Sequence, residues 1–116
     1  LSSDGATART FTNALAIGGD VTFGQTSGGT GDLTFSNVDL GGALRTLTVD
    51  NAMTTFAGVV SNTGGIVKAG AGTLVLDGVN TYTGDTVISN GTVRVATNGA
   101  LTFVIGASGI NNGVSG

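Results

Sequence analysis

Apolar residues recur along this chain with a period of two rather than 3.6. Val21 and Phe23 flank Thr22, Leu33 and Phe35 flank Thr34, and Leu47 and Val49 flank Thr48. Further on, Leu74 and Leu76 flank Val75, Val93 and Val95 flank Arg94, and Leu101 and Phe103 flank Thr102. Successive side chains of an extended strand point to opposite faces, so each triplet sends two side chains one way and one the other. The pattern predicts short β-strands.

Turn residues separate them. Gly18-Gly19, Gly28-Gly29, Gly41-Gly42 and Gly64-Gly65 are expected to supply positive φ. Asp77-Gly78, Asn90-Gly91, Asn98-Gly99 and Asn112-Gly113 are tight-turn dipeptides. In an antiparallel sheet such pairs make hairpins, and in a β-helix they make the corners of the coil. Period alone leaves both open, and the recurrence of whole units decides. The Leu33, Leu47, Leu74 and Val93 triplets share a small or polar lead, a short strand and a following Asp, Asn or Gly. Their separations, from about 14 to about 27 residues, suit solenoid coils with variable corner loops. About five coils are expected, which at strand spacing would form a rod of about 25 Å.

The stretch from Gly64 to Ala96, GGIVKAGAGTLVLDGVNTYTGDTVISNGTVRVA, carries the densest pattern. It closely resembles the autotransporter-associated β-strand repeat, roughly GG-(L/I)-x-K-x-G-x-GTL-x-L-x-G-x-NTYTG-x-T-x-(I/V)-x-x-GTL-x-(V/L). Gly64, Gly65, Lys68, Gly70, Gly72, Thr73, Leu74, Leu76, Gly78, Asn80, Thr81, Tyr82, Thr83, Gly84, Thr86, Ile88, Gly91, Thr92 and Val95 all fall in place. Arg45 to Gly65 also looks like the segment that commonly precedes this repeat. The resemblance implies an all-β fold, a parallel β-helix (β-solenoid) with Gly, Asn and Asp corners, in the passenger of a bacterial surface protein. It implies no reaction. No internal boundary is visible, so residues 1–116 read as one β-solenoid segment. Within it, 1–14 are a polar cap or lead-in and 64–96 the best-matched repeat. Residues 106–116 are a linker, a final coil or a frayed end.

Composition narrows the picture. Hydrophobic residues are 40% of the 116 but aromatics only 5%, so an aliphatic core is expected. Glycine is abundant, at 22, without the three-residue period or the proline of collagen. Charged residues are only 9%, and Val, Ile and Thr are plentiful, which argues against a disordered chain. The absence of Glu removes a common helix former. Net charge is −3, and Arg9, Arg45, Lys68 and Arg94 form no run, which argues against nucleic acid. Cysteine is absent, which a stack of mutually bracing coils tolerates. It also suits the export of an unfolded chain that the resemblance implies. No run nears the eighteen or so apolar residues of a membrane helix. No leader precedes Leu1, which reads as a processed chain or an excerpt of a longer one.

Candidate chemistry is sparse. Without His or Cys, no His-based triad, Cys nucleophile or ordinary zinc site can be built. Asp39 and Asp50 flank Arg45, an arrangement a carbohydrate-cleaving β-helix could use. Turn aspartates bonding their own backbone are the preferred reading. An enzyme would need Asp32, Asp39 and Asp50 to converge, and they are expected not to. Lys68, the sole lysine, could pair with a serine or form an isopeptide link. A solvated or stem-packed lysine is preferred. Gly28 to Leu33 is similar to a calcium-binding nonapeptide, but occurs once and with the Asp displaced. Gly65 to Gly72 lacks the GK[ST] ending of a phosphate loop and reads as a corner. Tyr82 is expected to be structural rather than sugar-stacking. Asn80, Thr81 and Thr83 should form a corner bonded to backbone or stacked between coils.

The expected protein is therefore non-enzymatic, with no catalytic, metal or cofactor residues. Its expected place is the bacterial outer surface or the extracellular space. Its role would be a stalk or an adhesive, self-associating face. The expected partners are other copies of itself, neighbouring coils, surface glycans or matrix proteins, with no membrane insertion by this segment. The main alternative is a filament subunit joined through open coil ends. A polysaccharide-cleaving β-helix is the third.

Overall fold

The computed structural model describes residues 1–3, 5–78 and 80–95, and the backbone of two later strands. The first coil comprises β1 (Arg9–Phe11), β2 (Leu15–Ala16) and β3 (Val21–Phe23). The second comprises β4 (Leu33–Phe35), β5 (Val38–Asp39) and β6 (Leu44–Val49). The third comprises β7 (Met53–Phe56), β8 (Val60–Ser61) and β9 (Gly65–Ala69). The fourth carries β10 (Thr73–Leu76) and β11 (Thr86–Ile88), and β12 (Thr92–Val95) opens the fifth. The later strands are β13 (Phe103–Ile105) and β14 (Val114–Ser115).

Each strand pairs in parallel with an equivalent one coil away, making three faces. The first face runs β1-β4-β7-β10-β12-β14, the second β2-β5-β8, and the third β3-β6-β9-β11-β13. The chain is a parallel β-solenoid, as the resemblance implies. Asn98-Gly99, Asn112-Gly113, Leu101 and Thr102 lie outside the described residues, as does most of 106–116.

Register explains the spacing of the triplets. Leu33, Thr54, Leu74 and Val93 form one inward column on the first face, with steps of about twenty residues. Leu47 belongs elsewhere: it pairs with Val21 and Lys68 on the third face. The unequal separations of the Leu33, Leu47, Leu74 and Val93 triplets therefore come from mixing two faces. Each coil has two long sides, and both need the same alternation. A third column, Leu15, Val38 and Val60, lines the second face.

The core fills from these columns. Leu33, Leu47, Val49, Leu74, Leu76 and Val93 are all fully buried, each stabilising the fold by roughly 1.5–3 kcal/mol relative to exposure. The core is not purely aliphatic, contrary to what composition suggests. Phe11 stacks on Phe35 with centroids 5.0 Å apart, and Phe23 lies 5.4 Å from Phe35 and 5.7 Å from Phe56. Register concentrates a low aromatic fraction: Phe11, Phe35 and Phe56 close the same strand in three consecutive coils.

Corners bring backbone against backbone. Gly28 and Gly41 do adopt positive φ, but Gly18, Gly19, Gly64 and Gly65 do not. Gly64 and Gly84 are needed for close approach instead. Gly64 N–H donates to Gly41 O at 2.9 Å, Gly84 N–H donates to Gly64 O at 3.1 Å, and a Cβ on either glycine would meet a carbonyl of the coil below. Gly72 lies likewise against Asn51 O, whereas the Cβ position of Gly18 is open. Gly72→Ala should therefore lower stability by about 1–3 kcal/mol through overpacking, while Gly18→Ala should change it by less than about 0.5 kcal/mol. Urea unfolding midpoints of the two variants check this contrast.

Candidate functional site

Lys68 lies on β9 between Leu47 and Ile88 in a column that is otherwise aliphatic. It is neither solvated nor merely stem-packed, because the whole side chain is buried. Alternation along β9 turns Ile66 and Lys68 inward together. The ammonium donates to Ala69 O at 2.7 Å, Gly70 O at 3.0 Å and Asn90 O at 3.2 Å. Burial pulls its pKa down to about 8, against the opposing field of Asp50. The geometry ties two consecutive coils together at one corner.

The aspartates do not share one face. Asp39 lies on β5 of the second face, where its Oδ1 accepts from Gly41 N–H at 2.8 Å and from the Asn62 amide at 2.9 Å. These bonds, Asn62 first, hold its carboxyl below the usual range. This is the turn aspartate expected from sequence. Asp32 precedes β4, and Asp50 follows β6. Arg45 is directed at backbone, with its Nε donating to Leu40 O at 3.1 Å. Among the described residues no group of three or more acidic side chains is placed to hold a metal ion. Gly28 to Asp32 form the corner before β4, which Leu33 opens, and there Gly31 N–H donates to Ser3 Oγ at 2.9 Å.

Residues 77–85 cross the second side of the fourth coil, and their described part contains no strand. They still bond to the coil below: Thr81 N–H donates to Val60 O at 2.8 Å and Thr83 N–H to Asn62 O at 3.1 Å. Asn80 is buried, and its Oδ1 accepts from Val60 N–H at 3.3 Å. Tyr82 packs against the core, and its hydroxyl meets that of buried Thr86 at 2.6 Å. Burial raises the Tyr82 pKa to about 12, with the Thr86 bond opposing.

Asn51 and Thr54 escape sequence reasoning. Asn51 Nδ2 donates to Gly31 O at 3.0 Å, and its Oδ1 accepts from Thr54 Oγ1 at 3.0 Å, all buried. The one signal pointing to them is a polar residue, Thr54, in the column of Leu33 and Leu74. Outward positions are largely neutral: Thr10, Thr34 and Thr55 stand in register on the first face, followed by Val75, which is buried, and exposed Arg94. A depression of about 220 Å³ beside them is lined by Thr10, Phe11, Thr34, Phe35, Ser36 and Gly58, among others. Phe11, in the inward column of Phe35 and Phe56, is 41% exposed on the first coil.

Removing the tyrosine hydroxyl tests the buried pair. Tyr82→Phe should cost about 1–3 kcal/mol by leaving the Thr86 hydroxyl unpaired. It should also change the alkaline limb. The folded pKa of about 12 exceeds the ordinary value of 10.0, so stability present below about pH 10 is lost as pH rises toward about 12. Denaturant titrations across that window should show Tyr82→Phe without this loss.

Residues 66–95 match the family described as the passenger-associated-transport-repeat. Over 111 residues, 94% of this chain, the sequence is 35% identical to the adhesin BmaC autotransporter of Brucella suis biovar 1. Over 64 residues, 47% of the chain, it is 42% identical to the autotransporter lipoprotein NalP of Neisseria meningitidis serogroup B. The chain spans 3% of the first relative's length and 6% of the second's. No solved structure matches it. Gly64 to Ala96, the stretch singled out by its residues, almost coincides with the matched range, and residues 66–95 form an autotransporter passenger repeat.

Proposed function

We propose that this chain is a non-enzymatic segment of a bacterial surface passenger, acting as a stiff stalk that carries an adhesive, hydroxyl-rich face. The observation that carries this reading is the likeness over 94% of the chain to a protein described as an adhesin. The geometry supports it. Parallel pairing links the described strands from coil to coil, so the stack resists bending as one unit. Among the cations, Arg45 and Lys68 bond to backbone carbonyls. The outward Thr10, Thr34 and Thr55 offer neutral donors and acceptors at strand spacing. Such a surface fits sugar hydroxyls. Its expected setting is the cell surface or the space outside it.

The alternative reading is a filament in which copies join head to tail, since contacts of that kind that do not close give fibres. Sedimentation over a concentration series, run beside a glycan and matrix-protein binding panel, separates the two. A monomer that binds glycan or matrix, with binding weakened about tenfold or more by Thr10→Val combined with Thr34→Val, is the expected result. Concentration-dependent polymers without glycan or matrix binding would favour the filament. Hydrolysis of a panel polysaccharide would overturn the non-enzymatic reading.

A further inference from the structure

We propose that Lys68 is a proton-operated latch between the third and fourth coils, seated in a pocket of three inward carbonyls and tightened when it loses its proton. The placement is unusual for a lysine. Its neighbours in the column are Leu47 below and Ile88 above, and its side chain reaches no solvent. Two of its acceptors, Ala69 O and Gly70 O, belong to its own coil, and the third, Asn90 O, belongs to the next. The backbone of Lys68 serves the same junction. Its carbonyl accepts from Ser89 N–H at 3.0 Å, Asn90 N–H at 3.2 Å and Ser89 Oγ at 2.9 Å. Opening the junction would free the Asn90 O bond and the bonds to the Lys68 carbonyl together, while those to Ala69 O and Gly70 O lie within the third coil.

The pocket holds the ammonium by hydrogen bonds but removes its hydration. Its acceptors are uncharged oxygens, and Asp50, at the end of β6, is the charged group whose field opposes the loss of water. Leu47 on β6 and Ile88 on β11 add no charge, and the corner around Gly70, Asn90 and Gly91 adds only neutral groups. A buried cation facing neutral acceptors is disfavoured relative to its neutral form. A neutral amine keeps two of its donors and serves two of the three carbonyls, and relief of the buried charge outweighs the one bond released.

The sign follows. The folded pKa, about 8, lies below the ordinary value of 10.5. Between these values the unfolded chain binds the extra proton, so stability rises with pH through this window. Ionisation of Tyr82 in the unfolded chain opposes the rise above about pH 10. The latch is therefore loosest when charged, at neutral pH and below.

Because Lys68 is the sole lysine, its amine can be followed directly by isotope-edited NMR in the full chain. The amine is expected to titrate near 8. In parallel, the folded-to-unfolded ratio from urea titrations should rise between about pH 8 and about pH 10, approaching about tenfold per pH unit. Lys68→Met cannot titrate, and Lys68→Arg stays charged, so both should lack the rise. An amine titrating at its ordinary value, or a wild-type slope equal to that of both variants, would overturn the latch. The wild-type titration decides even where a variant fails to fold.

Discussion

Everything in this solenoid depends on what happens to backbone carbonyls at its corners. Between corners the strands pair from coil to coil and satisfy themselves. At a corner some carbonyls turn inward, away from water, and a buried carbonyl without a donor costs roughly 1–3 kcal/mol. The molecule answers with side chains. Asn51 serves Gly31 O, Arg45 serves Leu40 O, and Lys68 serves Ala69, Gly70 and Asn90 together. Lys68 stands in a column with Leu47 and Ile88. An apolar residue in its place would fill the space and leave the corner unbonded.

The same corners explain the glycines. Successive coils pack so closely that a Cβ at Gly64, Gly72 or Gly84 would strike a carbonyl of the coil below. At these three, close approach matters rather than positive φ. Asn62 shows the complementary solution, adopting φ 85 while its side-chain amide bonds Asp39 and its side-chain oxygen accepts from Thr63 N–H. Asparagine tolerates this region better than other side chains because it can bond locally. One residue type relieves crowding and the other supplies bonds, so a corner built from both can be tight and still bonded.

Much of this is legible in the chain. The Val21, Leu33, Leu47, Leu74 and Val93 triplets mark real strands, and the Asp39 turn follows from its residue type. Column assignment is not legible. Nothing in Leu33-Thr34-Phe35 and Leu47-Thr48-Val49 says that they lie on different faces, because alternation reports sidedness within a strand, not which side of the coil it forms. The phenylalanine cluster is hidden for the same reason, since composition counts rings without registering them. Lys68 reads as exposed or stem-packed because a lysine in a strand usually is. Its parity with Ile66 points inward, but only the corner carbonyls explain why a charge can follow.

The burial of Lys68 bears on what kind of protein this is. Charged and polar groups in a β-helix enzyme must converge on an outward face where a substrate can reach them. Here Arg45 and Lys68 bond to the frame, and Asp39 is engaged with Gly41 and Asn62. Arg45, Lys68 and Asp39 are therefore committed to holding the frame together. On the first face, the outward mid-strand positions of the first three coils are left to threonines, whose side chains lie outside the inward columns. Such a division lets the surface vary without disturbing the fold, because corner bonds and inward columns fix the coil while outward positions on the same strands remain free to change. A passenger segment has use for that independence: its frame can be kept while its contacts drift.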